Sequence, residues 1–374
     1  MNLLHICNAY QTNPLYLALF RKLEQYGHRQ FVVAPGYDRC GEEEVGCVKV
    51  FYFIRKEGSV RRLFWSKKIS DISRFSIENI DLSNIDVIHA HTLFSDGAVA
   101  YRLWKKYHIP YVVAVRGTDI FDYLRLKLIY RGIGRKILQA AQKVILISPS
   151  NEREFMLRIG CSFFDSIKRK IEIIPNGIDD YWLSNRHSSN GQFTGKVLFV
   201  GDFNSNKNID GCLKAIKIIR DEGHLLSFHA VGLKPNDDSK LIRCIKDEAR
   251  RNDFFTIGEK LPKEKIRELY SQYDLLLVPS FQETFGLVYI EALSQGIPVI
   301  WSKNQGIDKM YKDGDVGYAV NPASPKDIAE KIKLIMNCYS DITSRIASLD
   351  LDAYDWKHIA IRYSHIYQAI ENNK

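Results

Sequence analysis

The sequence predicts an α/β protein made of two doubly wound, Rossmann-like domains in series. Short apolar runs alternate with amphipathic segments in the first half of the chain, and the alternation repeats in the second half. A polar stretch without strand character, residues 183–195, lies between the halves. A repeated strand–helix alternation is typical of a parallel sheet covered by helices, and 374 residues suffice for two such domains.

The predicted elements follow in chain order. In the first half, short apolar runs predict strands at residues 3–7, 30–34, 87–90, 111–115, 143–147 and 171–174. Apolar residues at helical spacing predict helices at 15–26, 97–107, 126–141 and 151–159. In the second half, strands are predicted at 197–200, 226–231, 254–257, 275–278 and 299–301, and helices at 210–221, 237–251, 263–271, 286–295 and 325–337.

These elements predict an N-terminal domain over residues 1–182 and a C-terminal domain over residues 183–355. A last amphipathic helix, within residues 356–374, follows the completed second sheet, and we expect it to pack back on the N-terminal domain. In open α/β sheets, ligands bind beyond the carboxyl ends of the strands. Two such domains facing each other would therefore form a cleft suited to a substrate.

The composition excludes several classes of protein. With 45% hydrophobic and 26% charged residues, the chain is typical of a globular protein. Its apolar runs are too short to cross a bilayer, and its N-terminus, MNLLHICNAY, lacks the regions of a signal peptide. The seven cysteines are scattered and form no CxxC motif, which predicts reduced thiols in a cytoplasmic protein.

Positive charge is concentrated in the first half of the chain. Residues 1–185 hold 27 Lys and Arg against 19 Asp and Glu, a net charge of +8, whereas residues 186–374 hold 26 against 25. Two basic segments with interleaved aromatic or apolar residues, 61–68 and 123–138, fit an anionic membrane surface. A solvated basic helix face is an equally good interpretation. No nucleic-acid-binding motif is present, so no nucleic-acid partner is expected.

The segment PSFQETFGLVYIEALSQGIPV, residues 279–299, holds two carboxylates eight residues apart, Glu283 and Glu291. Glu283 follows a predicted strand, and Glu291 lies inside a helix that begins near Gly286. The amides of Phe285, Gly286 and Leu287 at the helix start favour an anion. This pattern suits a ligand with hydroxyls at both ends and phosphate between them, such as a nucleotide-sugar. Alternatively, Glu283 is a helix-start acid and Glu291 a surface acid.

This segment closely resembles the E-x7-E segment of retaining glycosyltransferases of family 4, which have the GT-B fold. Further similarities occur in the family's order: DVIHAHTLFSDGAVAYRL and PYVVAVRGTDIF in the first half, IEIIPNGID before the linker, and VLFVGDFNSNKNIDGCLKAI after it. The segment DGDVGYAVNPASPKDIAEKI and the helix from Trp356 resemble the family's C-terminal end. The resemblance therefore extends over most of the chain.

The resemblance implies roles for the residues of the C-terminal domain. Glu291 would hold the ribose hydroxyls and Glu283 hydroxyls of the donor sugar, while the amides of Phe285, Gly286 and Leu287 would meet the sugar and phosphate. Lys207, at the position of the family's phosphate-binding lysine, would neutralise the diphosphate. Gly201 and Asp202 would lie beside the donor. Cations and N–H donors would then stabilise the charge on the departing nucleoside diphosphate.

The chain departs from the family pattern in three places. Asp202 stands where the family often has Arg, so a phosphate cation is either missing or replaced by another basic residue. The first strand leads into NAYQTNPLY without paired glycines, which leaves Thr12 and Asn13 to line the site. Arg116 replaces the family's histidine; it cannot act as a base, but it could bind a phosphate or an acidic acceptor. His91 and Asp119 are alternative polar contacts.

The favoured function is a retaining glycosyltransferase that uses a nucleoside-diphosphate sugar, with UDP slightly preferred, and requires no cofactor or metal. The Asp313/Asp315 and Asp350/Asp352 pairs are interpreted as turn residues. The basic first half suggests a glycan or lipid-linked acceptor at the inner membrane face, as in surface-polysaccharide assembly. Two alternatives stay open: a nucleotide-sugar epimerase with the GT-B fold, and a non-catalytic partner subunit that binds nucleotide-sugars.

Overall fold

The computed structural model describes residues 1–36, 41–46, 48–54, 65–125 and 128–373, without the side chains of residues 128 and 129. The chain forms two compact units. Unit 1 contains residues 1–147, 151–177 and 353–374, and unit 2 contains residues 148–150 and 178–352. Each unit is an α/β structure with a sheet that is parallel, apart from one antiparallel strand pair in unit 1, as the sequence largely predicts.

Unit 1 is organised around an eight-stranded sheet with the order β3-β4-β2-β1-β5-β6-β7-β8. Its strands are β1 Asn2–Ile6, β2 Arg29–Gly36, β3 Gly41–Val45, β4 Val48–Ile54, β5 Val87–Ala90, β6 Tyr111–Ala114, β7 Lys143–Leu146 and β8 Ile171–Ile173. All neighbouring strands are parallel except β3 and β4, which are antiparallel. The strand order reverses between β1 and β5, which makes the carboxyl ends of this pair the expected ligand position.

Helices cover both faces of this sheet. They are α1 Leu15–Glu24, α2 Trp65–Asn79, α3 Asp96–Tyr107, α4 Leu128–Ala140, α5 Pro149–Ile159, α6 Cys161–Ile167 and the C-terminal helix Trp356–Glu371. A π-helical turn, Asp119–Leu124, precedes α4. One core contains apolar residues of α2, α3 and α4. The other contains α1 and the C-terminal helix, whose Tyr363 and Tyr367 are buried against the sheet.

Unit 2 has a six-stranded, fully parallel sheet with the order β11-β10-β9-β12-β13-β14. Its strands are β9 Lys196–Val200, β10 Ser227–Leu233, β11 Phe255–Glu259, β12 Leu275–Leu277, β13 Val299–Ser302 and β14 Gly317–Val320. Its helices are α7 Asp180–Ser184, α8 Ile209–Asp221, α9 Lys240–Arg251, α10 Lys263–Tyr270, α11 Leu287–Ser294, α12 Pro325–Asn337 and α13 Tyr339–Ala347. Here the strand order reverses between β9 and β12.

Several elements were not predicted, and their sequences show why. Strand β3 reads GEEEV, so it lacks the apolar alternation that identifies a strand. Helix α2 has a low apolar content and buries Ser73 and Ser76 by donating their hydroxyls to the carbonyls of Ile69 and Ile72. Strands β4 and β14 and helices α6 and α13 were also missed. Among the described residues, no helix combines the length and the apolar character needed to span a bilayer.

Candidate functional site

The reversal of strand order in unit 2 brings two loops together. The loop after β9 contains residues 201–207, and the loop after β12 contains residues 278–286. Because β9 and β12 are neighbouring parallel strands, both loops leave the same edge of the sheet. This edge, at the reversal point, is where ligands bind in doubly wound folds. The two sequence segments singled out above therefore meet at one place.

The centre of this site is an ion pair between Lys207 and Glu283. Lys207 Nζ lies 2.6 Å from Glu283 Oε2, and both side chains are largely buried, with 22% and 13% of their surface exposed. Lys207 ends a short 3-10 turn that Asn204 caps, since the Asn204 side chain accepts a hydrogen bond from the Lys207 amide. The site thus carries a cation and a carboxylate already positioned against each other, and charges close in space at a protected site interact strongly.

Neighbouring residues fix the backbone around Glu283. The Glu283 amide donates to Gln305 Oε1 at 3.1 Å, and its carbonyl accepts from the Gly306 amide at 3.0 Å. Asn206 holds the preceding residues: its carbonyl accepts from the Phe281 amide, and its side chain exchanges two 2.8 Å hydrogen bonds with the Gln282 backbone. Sequence reasoning missed Asn206 and Gln305. The three asparagines in the segment NSNKN, residues 204–208, were the sequence feature that could have predicted a role for Asn206.

Helix α11 begins just beyond this loop, one residue later than predicted. Gly286 has φ 81° and precedes the helix, so Leu287 is the first helical residue. A side chain at Gly286 would strike Tyr289, because a Cβ there would lie 2.3 Å from its ring. The Tyr289 amide donates to the Gly286 carbonyl at 3.0 Å, and amides at a helix start favour an anion. Phe285 is only 2% exposed, so its side chain belongs to the core.

Glu291 lies in α11, and its carboxylate has no hydrogen-bond or ion-pair partner among the described residues. Burial, reinforced by the negative charge of Asp179, raises the pKa of Glu291 to about 7. Asp179 itself is held by Lys263, whose Nζ lies 2.6 Å from its carboxylate. A half-buried carboxylate without a protein partner is costly to ionise. Such a group is well suited to accept hydrogen bonds from ligand hydroxyls.

Asp202, at a position where the family often has Arg, forms ion pairs with two lysines. Lys234 Nζ lies 3.0 Å from its carboxylate and Lys260 Nζ 3.4 Å, from the loops after β10 and β11. Partial burial opposes the shift, but the two lysines lower the pKa of Asp202 below its ordinary value. Gly201 lies beside the aliphatic part of the Lys207 side chain: a Cβ added at Gly201 would lie 3.9 Å from Lys207 Cδ. Sequence reasoning missed both Lys234 and Lys260.

The reversal point of unit 1, at β1 and β5, holds a partly buried Asn8–Asp96 pair that was not predicted. Asn8 Nδ2 donates to Asp96 Oδ1 at 2.5 Å. Burial raises the pKa of Asp96 to about 7, although the hydrogen bond from Asn8 opposes the shift. Thr12 and Asn13 lie nearby in sequence, where Thr12 donates to the Ala9 carbonyl and Asn13 Oδ1 accepts from the Leu15 amide. Their predicted role at the site remains a prediction.

His91 belongs to a fully buried cluster with His5 and His89. His5 Nδ1 lies 3.1 Å from His91 Nε2, and His89 Nδ1 lies 2.7 Å from the Tyr367 hydroxyl. Burial holds the pKa of His91 well below its ordinary value. A neutral imidazole with no surface exposed is a poor candidate for contact with a substrate.

The ligand atoms of these three histidines lie within 4.8 Å of one another. However, the rings of His89 and His91 stack at 4.0 Å with 26° between their planes. Ring-nitrogen lone pairs lie in the ring planes, so stacked rings direct them side by side and not toward one ion. The cluster is therefore poorly shaped for a shared metal. The expectation that no metal takes part remains a prediction.

Asp119 is engaged by the backbone. Its carboxylate accepts hydrogen bonds from the amides of Leu93 at 2.9 Å, Phe94 at 3.2 Å and Arg116 at 2.9 Å. Burial raises its pKa to about 6 against the opposing effect of these amides. Asp119 thus joins the loops after β5 and β6, a role that orients Arg116 and leaves little capacity for a substrate.

We expect Asp119→Ala to lower the free energy of unfolding by about 2–4 kcal/mol, because three buried amides lose their acceptor. Denaturant unfolding measures this change. Asp122→Ala, at an exposed position of the same π-helical turn, is the matched control and should change stability little. Equal stability of the two variants would contradict the structural role assigned to Asp119.

Some residues of the two basic segments that were proposed to bind a membrane surface instead make contacts within the protein. Residues 61–64 and 126–127 lie outside the described residues. Trp65 donates its indole N–H to the Phe94 carbonyl and packs on Tyr130. Arg135 donates twice to the Ile159 carbonyl and stacks on Phe163. These contacts favour a structural role for Trp65 and Arg135.

Comparison with known proteins matches nearly the whole chain. The family model described as "Glycosyltransferase Family 4" matches residues 15–181, and the model described as "Glycosyl transferases group 1" matches residues 187–347. The chain belongs to glycosyltransferase family 4. An uncharacterized glycosyltransferase of Methanocaldococcus jannaschii is 26% identical over 365 residues, covering 92% of this chain and 91% of the relative. A D-inositol 3-phosphate glycosyltransferase of Nocardia farcinica is 24% identical, covering 76% and 66%.

Solved structures show the same fold for this glycosyltransferase. Sucrose-phosphate synthase from Thermosynechococcus elongatus matches with a TM-score of 0.76 at 18% identity, covering all of both chains. Anabaena HepE in complex with UDP matches with a TM-score of 0.71 at 16% identity, covering 99% of this chain and 100% of HepE. These neighbours have the GT-B fold, which the two α/β units also form.

Proposed function

We propose that this family 4 enzyme is a retaining glycosyltransferase that moves a sugar from a nucleoside-diphosphate sugar to a glycan or lipid-linked acceptor in cell-surface polysaccharide assembly. The single observation that carries the donor assignment is the Lys207–Glu283 pair beside the first turn of α11. It supplies a cation and helix-start amides for phosphate, with a carboxylate for sugar hydroxyls. Glu291, without a protein partner, adds an acceptor for the ribose hydroxyls.

In this proposal, the site residues stabilise the negative charge that develops as the nucleoside diphosphate departs. Lys207 and the amides of Gly286 and Leu287 face the charge that grows on the leaving phosphate, which lowers the barrier. Retention is consistent with front-face departure and attack, which requires no protein nucleophile. Arg116 cannot take a proton, and His91 is buried and neutral.

The proposed donor base follows from the nucleotides bound by similar structures. The Anabaena protein named above binds UDP, and the catalytic domain of Arabidopsis thaliana starch synthase IV was solved with ADP and acarbose. A uridine donor is our choice between these two. The acceptor class and membrane attachment rest on the excess of positive charge in the first half of the chain.

A donor panel incubated with and without membrane extract tests the proposal. Release of nucleoside diphosphate only when acceptor is present, with a product of the same anomeric configuration as the donor by NMR, is expected. An inverted product would overturn the retaining mechanism. An epimeric sugar product formed without acceptor, such as the epimeric nucleotide-sugar, would identify an epimerase, and binding without turnover across the panel would identify a non-catalytic subunit.

A further inference from the structure

Arg116 in unit 1 is a half-buried cation whose guanidinium forms no ion pair with a described carboxylate. It follows β6, and its guanidinium donates to two neutral oxygens: the His91 carbonyl from Nε at 3.4 Å and Asn176 Oδ1 from Nη1 at 3.1 Å. Burial raises the pKa of the neighbouring Tyr363, and the positive charge of Arg116 opposes this shift. Among the described residues, no carboxylate lies within 4 Å of the Arg116 guanidinium. A guanidinium offers five N–H donors in a planar fork, so these contacts orient the group without neutralising it.

Asp119, three residues after Arg116, forms no ion pair with the guanidinium, although the charge of Arg116 helps to lower the pKa of Asp119 against the effect of burial. Asp119 directs its carboxylate at the amides of Leu93, Phe94 and Arg116 itself. The carboxylate is therefore occupied by backbone amides and does not hydrogen-bond the guanidinium. Partly desolvating a charge without pairing it is unfavourable. An external anion that forms an ion pair with the Arg116 guanidinium would therefore stabilise this arrangement.

The residues around Arg116 are fixed before any ligand arrives. Asn176 is followed by Gly177, which packs directly on Trp356 of the C-terminal helix: a Cβ at Gly177 would lie 2.5 Å from the Trp356 ring. Tyr363 lies in the same helix and is 3% exposed. A guanidinium oriented by a fixed carbonyl and a fixed side-chain amide loses little entropy on binding, which favours bidentate recognition of a planar or tetrahedral oxyanion.

We infer that Arg116 binds an anionic oxygen group, a phosphate or carboxylate, carried by the acceptor. This rests on the proposed function, since the donor is assigned to unit 2, where Lys207 and the α11 amides already provide for its phosphates. Arg116 lies in unit 1, in the half of the chain with the net charge of +8. The substrate class is thus an acidic acceptor, such as a phosphorylated or uronic acid-containing glycan.

Equilibrium binding of inorganic phosphate and of acetate, measured by calorimetry in the presence of saturating UDP, tests this inference without turnover. Saturating UDP occupies the donor site, so the remaining anion binding reports on unit 1. We expect Arg116→Gln to weaken this binding about tenfold or more, and Arg116→Lys to weaken it less, because Lys keeps the charge but loses the fork. Arg102→Gln, at an exposed position of α3 in the same unit, should bind as the wild type does.

Several outcomes separate this inference from the proposed function. Unchanged anion binding in a folded Arg116→Gln protein, judged by its melting temperature, would overturn the inference even if sugar transfer is demonstrated. Complete loss of phosphate binding when UDP saturates the wild type would also overturn it, because the anion at Arg116 would then belong to the donor. Tighter binding of phosphate than acetate would favour a phosphorylated acceptor, and the reverse a carboxylate.

Discussion

Glu283→Gln is expected to reduce sugar transfer about 100-fold or more, the scale of removing one group that stabilises a transition state. The substitution keeps the size of the side chain but removes its charge. Lys207 then loses the partner that lies 2.6 Å away, and the donor sugar loses a charged acceptor for its hydroxyls. The initial rate of nucleoside diphosphate release at saturating donor and acceptor measures the effect.

The matched control is Glu268→Gln, an exposed carboxylate of α10 in the same unit, paired with Lys265 at 2.8 Å. Exposed ion pairs contribute little, so we expect transfer at the wild-type rate. If Glu283→Gln retained more than about a third of the wild-type rate, its predicted role in transfer would be wrong, since the loss of a transition-state contact should be far larger. Melting temperatures of both variants separate lost chemistry from lost folding.

Glu291→Gln is expected to weaken donor binding and to stabilise the free protein, two effects of opposite sign. The carboxylate would accept hydrogen bonds from ribose hydroxyls, and hydrogen bonds to charged groups are strong, so the UDP dissociation constant should rise about tenfold or more. Calorimetry with UDP measures this rise. In the wild type, UDP should bind more weakly as the pH falls below about 7, where Glu291 becomes protonated, and the Gln variant should lack this dependence.

The stability effect follows from linkage. The pKa of Glu291 is raised from 4.5 to about 7 in the folded protein, so the native state keeps a proton that the unfolded chain loses between these values. Stability is therefore lost as the pH rises through this window, and is lowest once Glu291 is ionised above pH 7. Removing the charge should stabilise the protein by about 1–3 kcal/mol more at pH 8 than at pH 4.5.

Denaturant unfolding at the two pH values measures this difference, with Glu330→Gln as the control. Glu330 is exposed in α12 of the same unit, and its replacement should give nearly equal changes at both pH values. If the Glu291→Gln protein were no more stable than the wild type at pH 8, the Glu291 carboxylate would be adequately solvated in the folded protein. Unchanged UDP affinity would instead remove Glu291 from the donor site.

Local sequence signals predicted much of the fold because helices and buried strands leave periodic patterns. Strand β5 and helix α12 agree with the predicted bounds, residues 87–90 and 325–337. Elements were missed where packing or strand pairing, and not a periodic apolar pattern, stabilises the helix or strand. The GEEEV strand is stabilised by its antiparallel partner β4, and helix α2 by serines that bond to its own backbone. Neither effect is visible in a local run of residues.

The sequence by itself determined the family, the two α/β units and the segments around Lys207, Glu283 and Glu291, because motif spacing and strand–helix alternation are local properties. Only the tertiary structure decided which groups meet. It joined Lys207 to Glu283 across 76 positions and enclosed His91 among histidines. It also directed the Asp119 carboxylate to backbone amides, so that Asp119 forms no ion pair with the Arg116 guanidinium. Such pairings depend on strand order and burial, which bring together residues far apart in the chain.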